Sequence, residues 1–143
     1  SKRITQSAMS DKTIRAALEG RLATWAATQS LTVQYQNVPI NQPTTTYLRA
    51  WFMPANRGSK DLAGLHVLYA GIFQIDVVGV ENVGTGAVAT IVENIAAQFP
   101  NNLLIVKSGL TIQITAPPSP KTGEYEPGRY VVKVSIPYRC DTI

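Results

Sequence analysis

Two stretches of the chain repeat their apolar residues with the period of a helix, and the segments between and after them alternate with period two. In Thr85–Phe99, the residues Val88, Ile91, Val92, Ile95, Ala96 and Phe99 recur at i, i+3, i+4, i+7, i+8 and i+11. That spacing puts them in one stripe of a helix, which must be buried against something else. Pro100 ends the pattern, and Asn101–Asn102 turn the chain. In Ser10–Thr28, Ile14, Leu18, Leu22 and Trp25 share a face with Ala17 and Ala26 beside them, while Lys12, Arg15, Glu19 and Arg21 fall mostly on the wet side. Ser10 or Asp11 is the expected cap for the free N–H groups of the first turn.

The remaining segments read as strands. Leu31–Tyr35 is a short one, followed by an extended connection over Asn37–Thr46 that holds Pro39 and Pro43. In Tyr47–Met53, Leu48, Ala50 and Phe52 alternate with Tyr47, Arg49, Trp51 and Met53. Both faces carry large side chains, so both need cover, from the chain itself or from a neighbour. Gly71–Val78 sets Phe73, Ile75 and Val77 on an apolar face and Ile72, Gln74, Asp76 and Val78 on the other. Leu103–Val106 is a short strand or an extended lead-in. Leu110, Ile112 and Ile114 alternate with Thr111, Gln113 and Thr115, and Tyr130, Val132, Val134, Ile136 and Tyr138 alternate with Val131, Lys133 and Ser135. Pro54–Leu68 reads as a polar, basic loop, and APPSPKTGEYEPG before the last strand as a long projecting loop.

The order is therefore α-β-β-β-α-β-β. Helices and strands do not alternate singly, which disfavours a doubly wound parallel sheet. The expected fold class is α+β: a single mixed or antiparallel sheet with the two amphipathic helices packed on one face. The polar segment SKRITQSA precedes Met9, the expected natural start. Residues 1–9 are read as a flexible N-terminal segment or an added remnant, and 10–143 as one domain.

Composition excludes several function classes. With 45% hydrophobic residues among 143, the chain can bury a core of ordinary size. The net charge of +4 is spread thinly. No basic stripe interleaved with aromatics marks a nucleic-acid binder. One cysteine, Cys140, rules out an internal disulfide framework and a cysteine-cluster zinc site, and without a nearby partner it reads as an inert thiol. No apolar run approaches the roughly 18–20 residues that span a bilayer, and the N-terminus lacks the apolar core of a secretory signal.

One stretch looks like chemistry. GIFQIDVVGVENVGTGAVA carries G-x-G-x-x-A after an apolar strand, close to a dinucleotide fingerprint. The spacing argues against it. Five residues, Gly79–Val83, separate the strand from Gly84, and after Glu93 the next acid is Glu124, too late for the ribose hydroxyls. Gly84 and Gly86 instead read as a sharp entry into a helix, with Thr85 as its cap. His66 is the single histidine and stands in the polar loop with no nucleophile elbow around it. Trp51, Tyr47 and Tyr69 are candidates for an aromatic ligand platform, though core or interface packing is the commoner role. Asp76, mid-strand among apolar neighbours, is a candidate base; an ion pair with an arginine or lysine, within the fold or across a subunit interface, explains it more simply. No metal-ligand spacing is present, so neither metal nor cofactor is expected.

The ordered set of segments resembles the phage tail terminator proteins, relatives of the minor tail protein U of lambda-like siphophages. The residues that carry the likeness are the N-terminal helix leading to VQYQNVPINQP, the strand TTTYLRAWFMPA, the strand and helix start GIFQIDVVGVENVGTG, the helix end AAQF, and the closing pair TIQITAPPSP and YVVKVSIPYRCDT. The likeness runs from about residue 10 to 142. It implies a structural, non-enzymatic protein that forms a hexameric ring on the head-proximal end of the virion tail, after assembly in the host bacterial cytoplasm. The partners it implies are further copies of the chain, the major tail tube protein and a head-completion or connector protein, with no membrane and no specific nucleic acid. Within that frame Gln74 and Asp76 are expected near a subunit contact, and Arg57 and Lys60 in a loop facing the lumen or a partner. Competing readings are another head–tail connector or tube component, or an enzyme using the Gly84–Gly86 region.

Overall fold

A computed structural model describes residues 2–55, 58–59, 67–80 and 86–142. In chain order the elements are α1 (Lys2–Thr28), β1 (Val33–Gln34), β2 (Tyr47–Pro54), β3 (Gly58–Ser59), β4 (Val67–Val80), α2 (Gly86–Gln98), β5 (Leu104–Lys107), β6 (Leu110–Ile114), β7 (Ser119–Pro120), β8 (Glu124–Glu126) and β9 (Arg129–Thr142). One mixed sheet holds all the strands, in the order β1-β2-β4-β9-β6-β5, with β3 beside β4 and β7 and β8 beside β9. Among the described residues only β1 and β2 run parallel. Its spine is an antiparallel ladder between β4 and β9 that runs unbroken from Val67↔Thr142 to Val80↔Arg129.

The period-two pattern decides which face of that ladder meets the helices. Phe73, Ile75 and Val77 of β4, Val134 and Ile136 of β9, and Ile112 and Ile114 of β6 are wholly buried on one side. Against them pack Ile14, Leu18 and Leu22 of α1 and Val88, Val92 and Ile95 of α2. Both helices thus lie on the same face, and the fold is the expected α+β sandwich. Phe99 closes the end of α2 against Phe73, ring centroids 6.0 Å apart. Arg21 ties the helices together: its Nε donates to the Gln98 carbonyl at 2.6 Å, and its guanidinium lies 5.9 Å above the Phe99 ring. A cation there meets carbonyls that the end of a helix leaves without partners.

Two closures are local. Between β5 and β6, Ser108 and Gly109 both have positive φ, 51° and 81°. Two such residues suit the tight hairpin turn that matches strand twist. The turn sets Ile105 opposite Ile112, so Ile105 faces the core and Leu104 and Val106 point away from it. At Gly79 the helix α2 comes so close that a Cβ would lie 2.4 Å from Val88 Cγ2.

Two expectations are corrected. Helix α1 begins at Lys2, eight residues before the expected cap, so Ser10 and Asp11 are interior positions. Residues 2–9 contain neither proline nor glycine, and nothing in them stops a helix. The proline-rich segment before β9 does not project. Ser119–Pro120 and Glu124–Glu126 pair with β9, and Lys121 N donates to the Lys133 carbonyl at 2.8 Å. The reason is length: β6 covers β9 only at Tyr138–Cys140, which leaves the Arg129–Ser135 edge open. A segment rich in proline suits such an edge, where missing N–H groups do no harm. The two helix patterns and the strand alternation are local signals; this open edge is not.

Gly79→Ala should lower the unfolding free energy by about 1–3 kcal/mol through overpacking against α2. Val88→Ala in the same chain should recover part of that loss, and a double-mutant cycle by urea unfolding measures the coupling.

Candidate functional site: the outer face of the sheet

The face of the sheet away from the helices can be followed row by row from the register. Tyr47, Val78 and Val131 form a small buried cluster with Ile40 packed against it. The Asn37–Thr46 connection crosses here, held by Arg129, whose guanidinium donates to the carbonyls of Pro43 and Thr45. The next row is charged: Arg49 stands opposite Asp76, and Asp76 opposite Lys133. Beyond it come Trp51 opposite Gln74 and then Met53 opposite Ile72.

Asp76 is 2% exposed, the one buried charged residue among those described. A carboxylate so placed requires donors, and it has three. Trp51 Nε1 donates to Oδ2 at 2.9 Å, Gln74 Nε2 donates to Oδ1 at 2.8 Å, and Arg49 Nη2 lies 3.3 Å from Oδ2. All three donors belong to the same chain, so the ion pair foreseen for Asp76 is made within the fold. Arg49 also holds Glu126 of β8, with Nη2 3.0 Å from Oε2. Burial alone draws the Arg49 guanidinium's pKa down. The hydrogen bond that Arg49 donates to Glu126 and the charges of Asp76 and Glu126 more than offset this, and the net shift is upward. For Glu126, the hydrogen bond from Arg49 outweighs burial and, with the charges of Arg49 and Lys133, holds the carboxyl below its usual value. Lys133 completes the row, Nζ 3.9 Å from Glu124.

This arrangement fastens the sheet and the arm together. Its charges satisfy one another, and it pins the proline-rich arm through β8 to the middle of the sheet. The indole of Trp51 is fixed at one end by Asp76, while the residue as a whole is 39% exposed. Gln74 and Asp76 are thus brought together with Trp51 and Arg49. Sequence reasoning singled out the first two but missed the roles of Arg49 and Glu126. Arg49 was accessible in principle, as the cation on the strand facing Asp76; Glu126, 77 residues from Arg49, gave no local signal.

The other candidates separate. Tyr69 is buried in the main core and Tyr47 in the small outer cluster. With Trp51 exposed, the three aromatics form no common platform. Gly86 is the first residue of α2; its φ is not positive and a Cβ would meet nothing within 4 Å. Cys140 is buried, and burial, with the charge of Asp141, pushes its thiol up against a smaller downward pull from the Thr111 backbone; this is an inert thiol. Arg57, Lys60, His66, Gly84 and Thr85 lie outside the described residues. Among the described residues no three His, Cys, Asp or Glu side chains group as metal ligands. Hollows among the described residues include one of ≈ 210 Å³ between β1 and β2 beside Trp51 and an open groove of ≈ 410 Å³ between α2 and the Pro120–Gly123 arm.

The profile of the family described as "Phage tail terminator protein" matches residues 13–138. A solved structure whose name states no function is similar at a TM-score of 0.77 and 35% identity, over 89% of this chain and 92% of its own. No curated protein matches significantly.

The lowered pKa of Glu126 fixes a pH dependence. The Arg49–Glu126 contribution is present above the ordinary carboxylate pKa and is lost as pH falls through the lowered folded one. Melting temperature should therefore fall on acidification below about pH 5. Glu126→Gln should lower it at neutral pH and flatten that acid limb, as read by circular dichroism.

Proposed function

The chain belongs to the phage tail terminator protein family, and we propose that it closes the tail tube as a ring of identical copies, expected to number six. Seated on the head-proximal end of the tube, the ring halts addition of the major tail protein. Its opposite surface receives a head-completion or connector protein. The observation that carries this reading is the family match, which spans nearly the whole folded domain. The outer face supports it: charged side chains there are engaged in holding strands and an arm together, and a fixed tryptophan stands at the boundary between that network and an exposed apolar strip. Such a surface suits assembly, not turnover.

In this reading Asp76 and Gln74 act close to a subunit contact by setting Trp51. The basic residues Arg57 and Lys60 belong to a loop facing the lumen or a partner. As a member of a structural family the chain is a component of the virion tail.

The decisive observation is a lysate of the parent phage deleted for this gene. Electron microscopy should show overlong tails on unjoined heads; tails of normal length would refute the termination role, and complete absence of tails would indicate a tube protein instead. Asp76→Ala frees the indole of Trp51 and should reduce ring formation at equal protein concentration. Light scattering that showed an unchanged oligomer in a folded Asp76→Ala chain would remove Asp76 from the contact.

A further inference from the structure

The outer face carries two exposed apolar patches at opposite ends of the strand order. On β2 and β4, Trp51, Met53 and Ile72 are 39%, 40% and 39% exposed, and Met53 stands directly opposite Ile72. On the terminal strand β5, Leu104 and Val106 are 60% and 71% exposed. Going from β2 through β4, β9 and β6 to β5 takes four strand steps. A twist of about 20–25° per step accumulates to on the order of 90°. The patches therefore face different directions and do not meet within one chain.

The edge beside the first patch is closed at the level of the backbone. Leu48 N donates to the Thr32 carbonyl at 2.9 Å, and just past the end of β1 the Gln36 side chain takes over, its Oε1 accepting from Phe52 N at 2.7 Å. Pro54, the last residue of β2, has no N–H to offer. An incoming strand finds no ladder there. A contact at this end has to be made by side chains on the face. Trp51 suits that task, because its ring is already immobilised through Asp76 and loses little freedom on docking.

We infer that Leu104 and Val106 of one copy pack on the Trp51–Met53–Ile72 patch of the next, head to tail. This contact rests on the ring reading above and names its two surfaces. The occupant is a second copy because a single chain carries both halves. Two unlike patches that face different directions on one subunit suit a heterologous contact, the type that propagates around a cyclic ring, whereas a two-fold pair would engage both patches of each copy at once and close at two copies.

The test uses disulfide capture in assembled tails. Met53→Cys and Val106→Cys are supplied to the gene-deleted phage singly, together on one chain, and as a mixture of the two single variants. Cys140, 1% exposed, stays in place. After oxidation of purified tails, non-reducing gels should show a ladder of covalent oligomers for the double variant, dimers for the mixture and neither for the single variants. A second pair, Ile72→Cys with Leu104→Cys, reads the same contact should one of the first variants fail to assemble. Tails of normal length without cross-links in both pairs overturn the interface and leave the ring reading standing. Cross-links in a single variant overturn the head-to-tail arrangement. Normal tails made with no copy of the gene at all refute the ring reading, and this contact with it.

Discussion

The ladder between β4 and β9 is longer than anything available to cover it. Each strand has 14 residues, about 45 Å at ~3.3 Å per residue. The 13 residues of α2 reach only about 20 Å at 1.5 Å per residue, and among the described side chains the core contacts of α1 run from Ile14 to Ala26. These described helical faces do not cover the whole spine. Much of the remaining architecture follows from that mismatch. The unpaired stretch of β9 takes up β7 and β8, the Asn37–Thr46 connection lies across the outer cluster of Tyr47, Val78 and Val131, and the end carrying Met53 and Ile72 stays uncovered.

Asp76 sits where these solutions meet. A buried carboxylate in the middle of a sheet destabilises the fold unless it is paired and hydrogen-bonded. Its partners come from β2 and from β4 itself, and through Arg49 the network reaches Glu126 on the arm. Three segments distant in sequence are thereby held in one geometry. The same carboxylate fixes the exposed tryptophan, so stability within the subunit and the shape of its outer surface depend on one group. That coupling is well suited to a protein whose work is assembly, because the surface is ordered before any partner arrives.

Much of the core was legible from periodicity. The stripe Val88, Val92, Ile95 and Phe99, the face Phe73, Ile75 and Val77, and the pair Ile112 and Ile114 are buried as their spacing requires. Burial depends on a repeat that the helix or strand itself imposes. The arm before β9 was not legible. Its prolines and glycines argue against regular structure locally, and it pairs only because a neighbouring strand leaves an edge free. The second glycine of the G-x-G motif, Gly86, is the first residue of α2.

Of the candidate surface, the sequence marked Asp76 as a charge that needed a partner inside the fold or beyond it, since an ionisable residue flanked by Ile75 and Val77 must be buried or contacted. Which partner it takes was settled only by register. Arg49 faces Asp76 because β2 pairs antiparallel with β4 at that step, and Glu126 reaches Arg49 because β8 folds onto β9. Period and composition act along a few neighbouring residues and determine which side chains are hidden. The meeting of residues 77 positions apart depends on strand order and twist, which only the packed sheet supplies.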